Sequence, residues 1–192
     1  MKARVKVALL LVAAILATAA VSANAQAQTI NPPGPVSGIA DFPHFEYGGS
    51  PITCDTGTLD GTADGTDRMS DVTLALFGNC GVAGVLPAEV TCQGTLSLIA
   101  NDPFDDLATL EPNPGFRCDV TTELCVLSFQ PPNVTPGPNS WLWGEGSGDP
   151  KLEVYLEFDV VNNGSEICGP QFGTGSFSAF YDMSPANFSF DP

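Results

Sequence analysis

Six cysteines constrain the fold of this 192-residue chain more than any other feature, because all of them follow a segment with the pattern of an export signal. A basic stretch, Lys2 to Lys6, precedes an apolar run, and Ala23-Asn24-Ala25 offers the small residues that a signal peptidase requires. We therefore expect residues 1–25 to be a cleaved signal peptide. Cysteines that reach an oxidising compartment form disulfide bonds that persist. The sequence predicts a secreted or cell-surface domain with three disulfides.

The spacing of the cysteines favours one pairing among the many that six residues allow. The interval from Cys54 to Cys80 equals that from Cys92 to Cys118, and similar Thr-Cys and Gly-Thr-Leu segments surround the first member of each pair. A bond between Cys118 and Cys125, across the short segment that separates them, stays open as an alternative. The repeated spacing fits either two related strand-turn-strand units or a chance match. The favoured disulfides are Cys54–Cys80, Cys92–Cys118 and Cys125–Cys168.

The charge of this acidic chain excludes one class of partner. All 22 acidic residues follow the predicted signal peptide, and only Arg68, Arg117 and Lys151 oppose them there. A surface of this charge repels phosphate backbones, which excludes nucleic-acid binding. It would instead attract cations or basic partners, and salt would weaken that attraction. No second apolar stretch could span a membrane, so the mature chain is expected to be soluble.

The mature sequence has the pattern of an all-β protein. Apolar and polar residues alternate over short segments bounded by turn residues. The alternation is clearest from Leu152 to Val160, where the apolar residues share one face. One apolar and one polar face are typical of antiparallel sheets. We therefore expect a single-domain antiparallel β-sandwich or Greek-key barrel over residues 52–190.

A proline-rich segment precedes this domain. Residues 26–51 carry five prolines, which predicts an extended lead-in with few ladder hydrogen bonds. Prolines also interrupt residues 130–140, which we expect to form a long surface loop. Strands are expected near residues 52–59, 70–77, 89–99, 116–120, 124–129, 140–143, 151–161, 173–181 and 187–190.

The segment that begins at Asp60 offers oxygen ligands with the spacing of a calcium-binding loop. Asp60, Thr62, Asp64 and Asp71 stand at its first, third, fifth and twelfth positions, with Gly65 at the sixth. The match departs from the usual loop because Thr62 replaces an acidic or amide ligand and Asp71 is shorter than glutamate. The alternative is a hairpin connection in which Asp-Gly pairs supply the positive φ angles of a tight turn. Calcium is thus the one candidate cofactor.

Three carboxylates, Glu153, Glu157 and Asp159, share the polar side of the strongest predicted strand. Paired carboxylates on a sheet supply the acid and the nucleophile of many glycoside hydrolases. The segment from Glu157 to Asn162 also resembles the E-x-D-x-x-E signature of laminarinase-like jelly-roll glycosidases, which implies carbohydrate hydrolysis. Asn162 stands where that family keeps its acid/base glutamate, so the proton donor is missing. A solvated outer face is the favoured interpretation, and no catalytic residue is assigned.

Two tryptophans form a candidate ligand platform. Trp141 and Trp143 lie two positions apart and therefore share a face of one predicted strand. Exposed indoles could stack on a ligand, because they combine a broad apolar face with one hydrogen-bond donor. The alternative is that both rings fill the core. The only histidine, His44, lies in the predicted lead-in, so no histidine-based triad is expected in the domain.

Four features together are similar to those of small exported bacterial β-proteins of the alkane-oxidation-activator-like type. They are the segment Thr53-Cys54-x-x-Gly57-Thr58-Leu59, an Asp-Gly turn, an alternating strand and Phe77-Gly-Asn-Cys80. The resemblance implies export and a β fold, and it brings no catalytic residues. We expect a bacterial, non-enzymatic β-domain with a structural or binding role toward an extracellular ligand or surface. The alternatives are a calcium-dependent carbohydrate-binding module and a glycoside hydrolase.

Overall fold

The computed structural model describes residues 28–102, 106–132, 137–144 and 148–191, and the predicted signal peptide lies outside them. Strands are the dominant secondary structure of these residues, which confirms the predicted all-β fold. None of them belongs to a helix long and apolar enough to cross a membrane. A short 3-10 turn occurs at Glu166–Cys168. The strands are β1 (Thr29–Asn31), β2 (Gly34–Asp41), β3 (His44–Tyr47), β4 (Ser50–Thr53), β5 (Thr56–Ala63), β6 (Arg68–Phe77), β7 (Cys80–Val82), β8 (Leu86–Gln93), β9 (Leu96–Asp102), β10 (Leu107–Pro112), β11 (Arg117–Thr121), β12 (Val126–Gln130), β13 (Ser140–Trp143), β14 (Lys151–Asn162), β15 (Phe172–Ser184) and β16 (Ser189–Asp191).

The strands from β2 to β15 form one closed barrel of antiparallel pairs. Their order is β10-β13-β14-β12-β11-β8-β7-β4-β3-β15-β2-β5-β6-β9, and β9 returns to β10. The long strands β14 and β15 also pair with each other across this ring. That pairing divides the ring into two smaller circuits, one through β13, β10, β9, β6, β5 and β2, the other through β12, β11, β8, β7, β4 and β3. A separate two-stranded sheet of β1 and β16 joins the two ends of the described chain.

Strand β14 is the central element of the molecule. Its inward residues Leu152, Val154, Leu156, Phe158 and Val160 are all buried, as the alternation predicts. Along one edge it pairs with β15 over nearly its whole length and without a shift in register. Its other edge is long enough for two short strands in series, β13 and then β12. The β14–β15 hairpin therefore supports both circuits at once.

A cluster of phenylalanines fills the circuit that contains β3 and β12. The ring of Phe45 lies 4.7 Å from that of Phe129 and 4.8 Å from that of Phe177, measured between centroids. Phe158 lies 6.2 Å from Phe45. All four rings are buried, and they come from four different strands. Contacts between aromatic rings add to the free energy of burial, so this cluster ties β3, β12, β14 and β15 together.

Three disulfide bonds clamp the sheet, and they are the three that the spacing predicts. Cys92 and Cys118 lie directly opposite each other in β8 and β11. A bond between Cys118 and Cys125 does not form, because Cys118 lies opposite Phe129 while Cys125 sits in the turn before β12. The bonds are Cys54–Cys80, Cys92–Cys118 and Cys125–Cys168.

The predicted lead-in is wrong, because residues 29–51 belong to the β structure. Strand β2 pairs with β5 along its whole length and with β15 near its end, and β3 pairs with β4 and β15. The prolines do not prevent this, since a proline removes only its own backbone donor. Two of them lie between β1 and β2, Pro43 lies between β2 and β3, and Pro35 and Pro51 stand at the second position of their strands. The domain therefore begins before residue 52.

In the structure, a turn divides each of two segments that the sequence predicts as single strands. Residues 52–59 fall into β4 and β5, and residues 89–99 fall into β8 and β9. The second division occurs at Gly94, where φ is +81°. A Cβ atom at this position would lie 2.8 Å from the Cα atom of Phe116. Only glycine combines this backbone conformation with so close an approach.

Candidate functional site

Four aromatic side chains lie exposed on the outer surface of three neighbouring strands, β13, β14 and β15. Trp141 and Trp143 are 36% and 55% exposed, Tyr155 is 43% exposed and Phe180 is 55% exposed. A contiguous group of large apolar side chains in solvent marks an interaction surface more often than a scattered one does. We call these four residues the aromatic face. The two tryptophans are thus available to a ligand and do not fill the core.

The register of the strands sets the arrangement of the aromatic face. In β13, Ser140 and Leu142 are buried, so the tryptophans that alternate with them point outward. Trp141 lies opposite Glu153 of β14, which in turn lies opposite Phe180 of β15. Since neighbouring strands are about 4.8 Å apart, a carboxylate stands between two rings in one lateral row. Ring surfaces and hydrogen-bonding groups therefore alternate across the face.

A hydrogen bond orients one of the exposed rings. Trp143 Nε1 donates to Glu153 Oε2 over 3.1 Å. A hydrogen bond to an ionised acceptor is stronger than one between neutral groups, and it restricts rotation of the indole. A side chain that is already held in place loses less conformational entropy when a ligand covers it. Glu153 thus restricts the orientation of the exposed Trp143 ring.

An ion pair borders the face at the end nearest Trp143. Lys151 lies opposite Trp143 and bonds to Asp182 of β15, and its Nζ atom is 3.8 Å from a carboxylate oxygen of Asp149. The pKa of Lys151 is raised, mainly by its hydrogen bond to Asp182. Because these groups are exposed, the pair contributes little to stability. The carboxylates of Asp149 and Asp182 therefore lie beside Lys151, which is the one cation that the structure describes in this surface region.

Two shallow clefts flank β14 beyond the aromatic face, and both are lined by Tyr155 and Glu157. We name them for the strands beside them. The β13-side cleft has a volume of about 260 Å³ and includes Pro112, Pro138 and Asn139. The β15-side cleft has a volume of about 350 Å³ and is more polar; its other lining residues include Glu46, Thr174 and Ser176. Tyr155 therefore belongs both to the aromatic face and to the walls of the two clefts.

The structure brings the only histidine of the chain to this same surface. His44 Nε2 lies 3.1 Å from Ser178 Oγ, in the lateral row that contains Tyr155. The expectation that His44 stands apart from the domain is wrong, because β3 pairs with β15 despite a separation of 134 positions. A catalytic pair also requires an acid that orients the histidine and donors for an oxyanion. The described contacts of His44 and Ser178 include neither.

The four candidate calcium ligands are not gathered into one site. Asp60 and Thr62 lie in β5 and Asp71 lies in β6, with a turn between the two strands. Asp64 Oδ1 accepts hydrogen bonds from the hydroxyl and the backbone N–H of Thr66, at 2.6 and 2.8 Å, and these bonds lower the pKa of Asp64. Among the described residues, no three His, Cys, Asp or Glu side chains are placed to hold a metal ion. The segment forms a hairpin connection between β5 and β6, which is the alternative to a calcium site that the sequence also allows.

The glycosidase-like segment is split between the two faces of β14. Because the register with β15 is continuous, the alternation is unbroken: Glu157 and Asp159 point outward while Asn162 is buried. Asn162 Nδ2 donates to two backbone carbonyls of the connection between β14 and β15, at 3.0 and 2.9 Å. Asn162 Oδ1 accepts from the N–H of Gly164. This residue therefore holds the connection and does not face the carboxylates.

Sequence reasoning missed three contributors to the site: Tyr155, Phe180 and the pair of His44 with Ser178. The alternation within β15 places Phe180 outward, but only the register with β14 shows that it joins the tryptophans. No family model, no curated protein and no solved structure matches the chain. The function can therefore be inferred only from the geometry of this surface.

Proposed function

We propose that this protein is an exported, non-catalytic binding module that holds a neutral polysaccharide on its aromatic face. The observation that carries the proposal is the joint exposure of Trp141, Trp143 and Phe180 on the two strands that flank β14, with Glu153 of β14 between them. The three disulfides support export, since such bonds persist in oxidising compartments. The resemblance to small exported bacterial β-proteins is part of the same proposal.

The alternation of rings and polar groups favours a carbohydrate over a protein partner. A sugar ring offers an apolar face for stacking and hydroxyl groups at its rim, and both find partners in a row such as Trp141, Glu153 and Phe180. The centre of a protein–protein interface is usually depleted of charge. Here Glu153 stands at the centre of the patch. A ligand that donates hydroxyl hydrogen bonds satisfies this carboxylate without a counter-charge.

Charge narrows the ligand further, to a neutral polymer. The chain has 22 acidic residues and a net charge of −16. Repulsion between like charges disfavours an anionic polysaccharide, and it equally disfavours a second copy of the chain on the same face. Hydrolysis is not part of the proposal, because Asn162 occupies the acid/base position of the glycosidase-like segment and points to the interior. Calcium is not part of it either, since the Asp60 segment forms a hairpin.

Electrophoresis in native gels that contain a polysaccharide tests this proposal. The panel is hydroxyethylcellulose, laminarin, arabinoxylan and galactomannan, with alginate and polylysine as charged comparisons. We expect retardation by at least one neutral polysaccharide. Trp143→Ala should weaken it about tenfold, because a stacked ring contributes about 1.4 kcal/mol. The matched control is Phe172→Ala, an exposed aromatic residue of the same strand as Phe180 but at its other end.

The outcomes of this experiment separate the candidate functions. Equal retardation of the Trp143→Ala and Phe172→Ala variants would contradict the assignment of the aromatic face. Binding to polylysine alone would replace the polysaccharide with a basic partner. Release of reducing sugar from a retarding polysaccharide would show a hydrolase. Retardation by none of the four neutral polysaccharides would overturn the proposal.

A further inference from the structure

The outward side chains of β14 form a line that begins at the aromatic face and extends past it. Lys151, Glu153, Tyr155 and Glu157 occupy successive outward positions, and adjacent members are about 6.8 Å apart along the strand. Trp143 lies opposite Lys151, at one end of this line. The distance from that end to Glu157 is about 20 Å. This is several times the width of one sugar ring, so a single sugar would cover only part of the surface.

The far end of the line opens into the β15-side cleft. Glu157 lies opposite Ser176 of β15, which lies opposite Glu46 of β3. All three line the cleft, as do Tyr155 and Thr174. Hydroxyl and carboxylate groups thus lie next to the aromatic rings along β14. Tyr155 belongs both to the aromatic face and to the β15-side cleft. The β13-side cleft is lined more by proline and offers fewer groups to hydroxyls.

We infer that the site takes an extended segment of several sugar units, which follows β14 from Trp143 to the β15-side cleft, and not a single sugar. This inference rests on the proposed function. The rings at Trp141, Trp143 and Phe180 hold one part of the chain by stacking. Tyr155 and the cleft hold the sugars that follow. Each further sugar unit then adds contacts until the line is filled, so affinity should rise with chain length and reach a plateau.

Two substitutions distinguish the two regions of the site. Trp143→Ala removes a ring of the aromatic face and should weaken oligosaccharides of every length. Ser176→Phe places a bulky side chain in the β15-side cleft, and aromatic residues are favoured in strands. It should remove the gain in affinity with length while it leaves short oligosaccharides unchanged. Tyr155→Ala should also reduce the gain in affinity with length, because Tyr155 lines the cleft, but it belongs to the aromatic face as well and should weaken short oligosaccharides too. Pro138→Ala, in the β13-side cleft, is the matched control and should change neither.

The experiment is a titration followed by tryptophan fluorescence, with unbranched oligosaccharides of one to six units. Both the β-1,4-glucan and the β-1,3-glucan series are used. We expect the affinity of the longest oligosaccharides to exceed that of the disaccharide at least about tenfold in the wild type, a difference of about 1.4 kcal/mol. In the Ser176→Phe variant this ratio should approach one. Circular dichroism of each variant confirms that the fold is kept.

Failure of the inference and failure of the proposed function give different results. If oligosaccharides bind and Trp143→Ala weakens them, but affinity does not depend on length, the site takes a single sugar and the inference is wrong. The same follows if Pro138→Ala removes the length dependence and Ser176→Phe does not. If neither series nor any panel polysaccharide binds, the proposed function itself fails, and the inference fails with it.

Discussion

Tyr181 places an unpaired hydroxyl group in the core. Its side chain is fully buried, and no partner for its hydroxyl occurs among the described residues. An unpaired hydroxyl in the interior costs about 1–3 kcal/mol. Burial also raises the pKa of Tyr181, because the interior disfavours the charged phenolate. The residue therefore lowers stability at neutral pH through its hydroxyl and makes stability depend on pH in alkali.

We expect Tyr181→Phe to raise the free energy of unfolding by about 1 kcal/mol at pH 7, because it removes the hydroxyl and keeps the ring. The folded-state pKa lies above that of an unfolded tyrosine, about 10, so the wild type loses stability as the pH rises above that value. The loss from this group is about 1.4 kcal/mol per pH unit, and the variant should not show it. Urea unfolding at pH 7 and at about pH 11 measures both effects.

Tyr155→Phe is the control for this prediction, because Tyr155 is exposed. It should change the free energy of unfolding at neither pH. A Tyr181→Phe variant that is less stable than the wild type at pH 7 would contradict the prediction, since it would show that the hydroxyl makes a favourable contact.

The connection between β14 and β15 depends on a covalent clamp at the end of the hairpin that is distant from the tryptophans. The Cys125–Cys168 bond ties the turn before β12 to the 3-10 turn that precedes β15. We expect the double variant Cys125→Ala/Cys168→Ala to lose about 3–4 kcal/mol of unfolding free energy, because its unfolded chain is no longer constrained. Denaturant unfolding measures the loss.

Polysaccharide binding by this double variant tells whether the loss is local. The aromatic face lies where β14 pairs with β13, and the clamp lies beyond the segment that pairs with β12. Binding in the folded variant should therefore match that of the wild type. A reduced affinity under conditions where the variant is fully folded would show that the connection also orients the face.

Strands differ in how far the sequence predicts them. Alternation alone predicts β13 with its observed bounds and β14 to within one residue, because one face of each is buried against a single core. It fails for β2 and β3, where prolines at strand ends and in connections give the composition of an extended segment. The turn at Gly94 is likewise hidden, since it depends on the close approach of Phe116 from a distant part of the chain.

The sequence predicts the candidate site only in part, because the site combines residues from distant parts of the chain. Spacing within one strand places Trp141 and Trp143 on a common face, and the structure confirms that they share it. The neighbours of the tryptophans depend on register between strands, which the sequence does not report. Phe180 is brought beside them by the pairing of β14 with β15, and His44 reaches Ser178 across most of the chain. The spacing from Asp60 does not show that these residues are divided between two paired strands, β5 and β6.

The molecule as a whole is strongly acidic, and its charges repel one another in the folded state. The net charge is −16, and 22 acidic residues far outnumber the six lysines and arginines that could offset this repulsion. Compaction brings the charges closer, so low ionic strength destabilises the folded state relative to the unfolded one. Salt screens the repulsion over a distance that falls from about 30 Å at 0.01 M to about 10 Å at 0.1 M.

We expect the melting temperature to rise between low and moderate ionic strength, and to rise equally in sodium chloride and calcium chloride of matched ionic strength. The reason is that screening acts without a specific site, whereas a ligand that binds only the folded state adds its own stabilisation. Thermal unfolding followed by circular dichroism, with and without a chelator, measures this. A larger rise in calcium that saturates with concentration would indicate a bound ion and would restore the Asp60 segment as its candidate ligand set.

The closed order of β2 to β15 gives each of these strands a hydrogen-bonded neighbour on both sides. A sheet with an open edge offers a template on which another chain can add a strand, and protein fibres grow in this way. Here the closed order leaves no edge strand among β2 to β15. In the proposed role, such a domain would be able to cover a polymer surface densely without fibre growth from an edge of the barrel.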